Sequence, residues 1–311
     1  MAAAMIDPAT RETVDAVWGD PAAWEAAGWQ WTRLPAISRM INRQVSGDED
    51  VLPEAWFFRR VAQVRPLPLD RVLVLACGGG ALERSLVSNG WVRSVVAVDM
   101  SARVLAVAEA AARDAGLTGR IDYRLGDMND LDVDGPFDAV FGVSAVHHCA
   151  NLKGLFATIN KVLVPGGWFF LNDYVGPTRF QWSDADVLQI NRLLQLLPDR
   201  MAANAAGFTR RGFQRVSAEE VAAFDVTEAV RSADILRVMA DHLKVEVCRG
   251  YGGSLLHLVL ANLGQNFDPA ASGDPTGPEY LDLLIRASDH LRATGRSPDY
   301  FAAAIARQAS T

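Results

Sequence analysis

The stretch Arg71–Val72–Leu73–Val74–Leu75–Ala76–Cys77–Gly78–Gly79–Gly80–Ala81–Leu82–Glu83 decides the fold. Val72 to Leu75 is apolar without alternation, as in a parallel strand covered on both faces. Three glycines then form a tight turn with exposed backbone N–H groups, and helical spacing resumes at Ala81 and stops at Asn89–Gly90. A strand, a glycine turn and a helix N-terminus make a site for a nucleotide-like ligand. The dinucleotide fingerprint Gly-x-Gly-x-x-Gly is incomplete, because its third glycine is Glu83. This argues against NAD or FAD and for a ligand without a pyrophosphate.

Strands and helices alternate downstream. Strands are read at Ser94–Val98, Ile121–Leu125, Phe137–Gly142 and Trp168–Leu171. Helices are read from Ser101, a plausible N-cap, and over Leu152–Leu163, where Pro165–Gly166–Gly167 breaks the run. The pattern predicts a doubly wound parallel sheet, whose ligands sit beyond the carboxyl ends of the strands. Those ends carry Gly78–Gly80, Asp99, Asp127, Ser144–His148 and Asn172–Tyr174. Asp99 lies 19 residues beyond Gly80, where a carboxylate accepts from both hydroxyls of a ribose. Asp127 is placed to accept from an exocyclic amine. Together these groups suit adenosine carrying a non-phosphate tail.

The segment Val72–Val175 resembles class I S-adenosylmethionine (SAM)-dependent methyltransferases. The pieces that carry the resemblance are Cys77–Gly80, Val98–Ser101, Gly126–Met128, Phe137–Val140 with Ala145–His148, and Leu163–Gly167. It implies a Rossmann-like, doubly wound seven-stranded sheet, with strands at Val245–Cys248 and Tyr300–Ala306 completing it. It also implies SAM as cofactor, held by Ala76, Gly78, Gly80, Asp99, Met100, Asp127, Met128 and Ser144. Gly78 and Gly80 would contact the methionine part, Asp99 the ribose, and Asp127 with the Met128 backbone the adenine. Val74 and Ala76 stand where the family has an acid and its first glycine, beside the methionine moiety. The stretches 173–182, 228–232 and 249–253 are similar to a bacterial group of small-molecule methyltransferases linked to saccharide and secondary-metabolite pathways.

Four parts are expected: an N-terminal helical cap (1–66), the SAM-binding core (67–176), a helical lid insert (177–243) and a C-terminal completion of the sheet (244–311). The cap holds Trp18, Trp24, Trp29, Trp31 and Trp56, five of the chain's 8 tryptophans, which pack the cap on the core or roof a pocket. A linker is expected at Asn266–Gly277.

The candidate catalytic residues are Tyr174, His148 and Asp173. The Tyr174 ring is placed to face a sulfonium, worth about 0.5–2 kcal/mol, or else packs beneath the lid. His147 and His148 are neighbours expected to point in different directions, so either serves as a general base or as pocket wall, and neither as half of a metal pair. Strand four has no carboxylate near Val143–Ser144 to join Asn172 and Asp173, so no metal is expected. Arg179, Trp182, Tyr251 and Trp31 are the expected substrate-binding residues. Glu228 and Arg231, one helical turn apart, are expected to pair on the surface.

Among the 311 residues, a net charge of −7 without a basic run argues against nucleic acid. The three cysteines lack metal-ligand spacing and read as reduced thiols. No apolar stretch approaches the ~20 residues of a membrane span. These features predict a cytoplasmic protein, monomer or homodimer, acting on a small molecule. The expected reaction is in-line methyl transfer to such an acceptor. A second reading keeps the cofactor but has SAM's own nitrogen or alpha carbon displace methylthioadenosine, giving an azetidine- or cyclopropane-type amino acid. A third is a SAM-binding protein without turnover.

Overall fold

In the computed structural model, residues 8–20, 30–204 and 206–309 are described. In chain order the principal elements are α1 (Pro8–Trp18), α2 (Pro35–Ser46), α3 (Pro53–Val61), β1 (Leu69–Leu75), α4 (Ala81–Ser88), β2 (Val92–Asp99), α5 (Ala102–Asp114), β3 (Ile121–Leu125), β4 (Phe137–Val143), α6 (Leu152–Val162) and β5 (Leu163–Tyr174). They continue with α7 (Asp184–Leu196), α8 (Ala218–Phe224), α9 (Ile235–His242), β6 (Leu243–Gly250), α10 (Gly277–Ala293) and β7 (Phe301–Gln308). The seven strands form one sheet in the order β3-β2-β1-β4-β5-β7-β6. Strands β1 to β5 run parallel, and β7 inserts antiparallel between β5 and β6.

The apolar run in β1 serves both faces of the sheet, because alternate side chains leave a strand on opposite sides. Val72 and Val74 join a core with Ile37 of α2, Phe57 and Phe58 of α3 and Leu86 of α4. Leu73 and Leu75 join a second core with Leu155, Phe156 and Ile159 of α6 and Val238 of α9. In β7 the run Ala302–Ala304 is buried, and only small side chains fill its place in the middle of the sheet. The strand and helix expectations are met, with shifted ends. Ser101 caps α5 by accepting from the Val104 amide at 3.2 Å, and capping boxes at Ser183 and Ser217 start α7 and α8. Pro165–Gly167 lies inside β5 rather than between a helix and a strand, because α6 ends at Val162 and the strand begins at once; β5 shifts register there against Phe137 and Ala139. The expected linker at 266–277 contains helical turns anchored by Phe267, which is buried.

The aromatic cap divides its work. Trp56 packs in the core, whereas Trp18 and Trp31 line the cavity described below. Trp24 and Trp29 lie outside the described residues. Among the described residues no helix is long and apolar enough to cross a membrane.

Glu83, in the first turn of α4, is fully buried. Burial pushes its pKa up to about 7, opposed in part by its own backbone amide, by Tyr123 and by the Arg84 charge. The native state therefore holds this proton more tightly than the unfolded chain. Its contribution to stability is full below the unfolded value near 4.5 and is lost as pH rises through 7. Glu83→Gln is expected to stabilise the fold by about 1–3 kcal/mol at pH 8 and to leave it nearly unchanged at pH 5. Urea denaturation at the two pH values checks this, and an equal gap at both would contradict it.

Candidate active site

The carboxyl edge of the parallel strands opens into a cavity of about 700 Å³. One half is built by the turn after β1 and by the ends of β2 and β3. Ala76 and Gly78 both have left-handed backbone, with φ of 42° and 53°. A Cβ on Gly78 would meet nothing within 4 Å, so its backbone edge stays open for a ligand. Its N–H donates to Asp99 Oδ2 at 2.9 Å, and the Ser101 N–H donates to Asp99 Oδ1 at 2.9 Å. The Asp99 carboxylate is thus fixed by backbone donors while its remaining lone pairs face the cavity edge; burial raises its pKa. Asp127 Oδ1 accepts from the backbone and side-chain nitrogens of Asn129 at 2.8 and 2.9 Å. Asn129 in turn accepts from the amides of Ala150 and Asn151, tying the loop after β4 to the end of β3. An open glycine edge, a fixed acid at each of two strand ends and a shared cavity fit the adenosyl and methionine parts of SAM.

The other half of the cavity is organised by Asp173 near the end of β5, which is 1 % exposed. Its Oδ2 accepts from the amides of Ala145 and Val146 at 3.0 and 2.6 Å. Its Oδ1 accepts from the Tyr174 amide at 2.7 Å and lies 2.5 Å from His147 Nδ1. The other ring nitrogen, His147 Nε2, is 3.4 Å from Glu228 Oε1. Burial opposes charge on His147, but the Asp173 and Glu228 carboxylates overcome it and raise the pKa to about 10. Burial alone would raise Glu228 as well; the hydrogen bond and charge of His147 outweigh it and hold Glu228 below its ordinary value.

His148 Nδ1 lies 2.9 Å from Thr227 Oγ1, and that hydroxyl donates to Asp225 Oδ1 at 2.7 Å. Thr227 is therefore an acceptor toward His148, which places the imidazole proton on Nδ1 and the free lone pair on Nε2. Burial and the neighbouring His147 charge push the His148 pKa down. Trp18 packs edge-on against His148 at 5.6 Å and donates to Asp225 Oδ2 at 2.8 Å. His257 lines the same cavity, and burial pushes its pKa down to about 4.

Ala76, Gly78, Asp99, Met100, Asp127, Met128 and Ser144 all line the cavity, as do His148, Tyr174, Tyr251 and Trp31. Gly80 does not: a Cβ there would come within 2.6 Å of Tyr123 Oη, so this glycine serves close packing behind the turn. Asp173 lies behind the wall and acts through His147. The Tyr174 hydroxyl is turned to the Pro177 carbonyl at 3.0 Å, so only its ring faces the cavity.

Four expectations are corrected. Arg179 does not line the cavity: its guanidinium donates to the carbonyls of Asp225, Val226 and Glu228. Trp182 is buried and stacks on Phe180 at 5.1 Å with planes 1° apart; Phe180, not Trp182, lines the cavity. Glu228 is buried against His147, whereas Arg231 pairs with Asp234 at 2.8 Å, so no Glu228–Arg231 surface pair forms. The two adjacent histidines also do not diverge. The helical turn Val146–His148 brings their rings to 4.1 Å, each held by its own carboxylate system.

The residues that sequence reasoning passed over are Glu54, Asp225, Thr227 and His257. Glu54 joins the wall through Asn172 Nδ2 at 3.3 Å, and Asn172 Oδ1 accepts from the Tyr251 hydroxyl at 2.8 Å. None of the four stands in a local motif; folding alone brings them together.

Residues 73–171 match the sequence model of a family described as a methyltransferase domain. Over 115 residues the chain is 34% identical to a ubiquinone biosynthesis O-methyltransferase of Agrobacterium fabrum, a match covering 37% of this chain and 44% of that protein. It is 29% identical over 128 residues to the protein of the same name from Chromobacterium violaceum, covering 37% and 53%. The chain thus spans about half the length of the curated relatives it matches. Among solved structures, a geranyl diphosphate methyltransferase in complex with GPP and sinefungin aligns over 96% of this chain and 100% of its own, with TM-score 0.54 and 14% identity. Phosphoethanolamine N-methyltransferase 2 of Haemonchus contortus, in complex with SAM, aligns over 97% and 60%, with TM-score 0.51 and 15% identity.

If Arg179 holds the 225–228 loop in place, Arg179→Ala should destabilise the protein by about 1–3 kcal/mol in urea denaturation, through the loss of charge-assisted bonds to three carbonyls. An unchanged midpoint would contradict that role. The fold, the strand-end residues and the family match agree: residues 73–171 match a methyltransferase domain, set in a chain with the seven-stranded sheet of the class I methyltransferase fold.

Proposed function

We propose that this protein transfers the methyl group of SAM to a small-molecule acceptor. The observation that carries the reading is a single cavity joining the Gly78–Asp99–Asp127 half to the half walled by His147, His148 and Glu228. Asp99 would hold the ribose hydroxyls, Asp127 and the Met128 backbone the adenine, and the turn at Ala76 and Gly78 the methionine part, with Met100 and Ser144 beside them. Bound there, SAM supplies a methyl group activated by its sulfonium. The chain aligns the acceptor and excludes water. Trp31, Tyr174 and Tyr251 present aromatic faces to the acceptor, and Trp18 closes the cavity over His148. His148 Nε2, its lone pair oriented by Thr227 and Asp225, takes the proton of an acceptor hydroxyl or carbon acid. Asp173 acts as a positioning residue, because it holds His147 and the backbone of the turn.

We place the acceptor in bacterial secondary metabolism. Support comes from the three stretches that resemble small-molecule methyltransferases of that kind, each of which supplies a cavity residue: Tyr174, Glu228 and Tyr251.

Mass spectrometry of the protein incubated with SAM, alone and with a panel of phenolic, enolic and amine acceptors, tests the reading. SAM alone should stay intact, and a productive acceptor should gain one methyl group as S-adenosylhomocysteine forms. Catalytic release of methylthioadenosine without an acceptor would replace methyl transfer with intramolecular cyclisation. Asp99→Ala should weaken SAM binding about 10–100-fold, the cost of a lost hydrogen-bonded carboxylate. Calorimetric affinity equal to wild type would remove Asp99 from the cofactor site.

A further inference from the structure

We infer that His147, His148 and Glu228 form a site for one divalent transition-metal ion of the zinc class, in the acceptor half of the cavity. One donor atom from each of the three lies within 4.8 Å of the others. Ligands about 2.1 Å from a tetrahedral ion stand about 3.4 Å apart. The His147 Nε2 to Glu228 Oε1 distance is already 3.4 Å, and the remaining edges are within 4.8 Å.

The surroundings of the donors carry the argument further than their proximity. Metal-binding histidines nearly always donate their second ring N–H to a carboxylate or other acceptor, which fixes the tautomer and the ring. Both histidines have such a partner. His147 Nδ1 is held by Asp173 at 2.5 Å, and His148 Nδ1 by Thr227, which is itself bonded to Asp225. His147 Nε2 is thereby directed at the Glu228 carboxylate, and His148 keeps Nε2 free as a donor, with a ring nitrogen inside the same cluster. Two imidazoles and one carboxylate suit zinc and its neighbours better than calcium or magnesium, which prefer oxygen donors. Three protein ligands leave a fourth position open to the cavity, the arrangement of a catalytic rather than a structural site.

The ion would be held between His147 Nε2 and Glu228 Oε1, with His148 as the third ligand. Its open position would take an acceptor oxygen and stabilise it as the anion, so the ion would assume the role given above to His148 alone. The site is inferred from the geometry of the donors and their partners, and it stands or falls independently of the methyl-transfer reading.

The test uses the full chain, stripped with a chelator and titrated with Zn2+ and with Co2+ at buffered micromolar free concentration. We expect one ion per chain after dialysis and, with Co2+, a visible absorption of low-symmetry four- or five-coordinate intensity. His148→Ala and Glu228→Gln should each lower affinity at least 100-fold. Thr227→Val, which removes only the partner of His148, should lower it about tenfold. His290→Ala, at an exposed position, should leave it unchanged. Retained circular dichroism and thermal transitions separate loss of the site from loss of the fold. If the wild type retains no ion, or if His148→Ala and Glu228→Gln retain it as well as the wild type does, the site does not exist. SAM affinity measured in the same samples reports on the cofactor half separately.

Discussion

The arrangement of the site depends on one buried carboxylate. Asp173, near the end of β5, has no contact with solvent worth the name, yet it accepts three backbone N–H bonds and the His147 ring. A buried anion is tolerated only where its lone pairs are filled, and here each bond that fills one also places a piece of the site. The amides of Ala145 and Val146 fix the turn after β4. The Tyr174 amide fixes the exit from β5. The imidazole carries the effect on to Glu228. Because β4 and β5 are adjacent parallel strands, their carboxyl ends arrive side by side, and a single aspartate suffices to join them.

The segment after β5 joins the site by a second, separate device. The turn bearing Asp225, Thr227 and Glu228 comes from a segment more than fifty residues after β5, and it is held from beneath by the Arg179 guanidinium. Arg179 itself has left-handed backbone, with φ of 53°, at the start of the lid. The cap adds Trp18 from α1, bonded to the same Asp225. Core, lid and cap thus meet at one polar cluster. The cofactor half, by contrast, is built entirely from the sheet edge.

This division explains what was legible in the sequence. The cofactor half is local: the glycine turn, Asp99 and Asp127 each follow a strand that announces itself by its apolar run, so order along the chain maps directly onto position along the sheet edge. The acceptor half is non-local. Glu228 and Arg231 have the spacing of a surface pair, and nothing nearby marks Glu228 as buried. Only the path of the lid brings it to His147. Adjacent histidines would diverge on a strand, but the short helical turn at 146–148 brings their rings together. Arg179 and Trp182 follow β5 directly, ahead of the segment that carries Glu228. Which way their side chains turn depends on backbone carbonyls and on Phe180, and these become neighbours only in the folded chain.

The most direct test is a crystal structure of the protein with S-adenosylhomocysteine. The account predicts that the ribose hydroxyls rest on Asp99, that the adenine lies at Asp127 and Met128, and that the sulfur faces the space in front of His148 and Glu228. A ligand bound elsewhere, or one whose sulfur faces away from those two side chains, would contradict the claim that one cavity brings methyl donor and acceptor together.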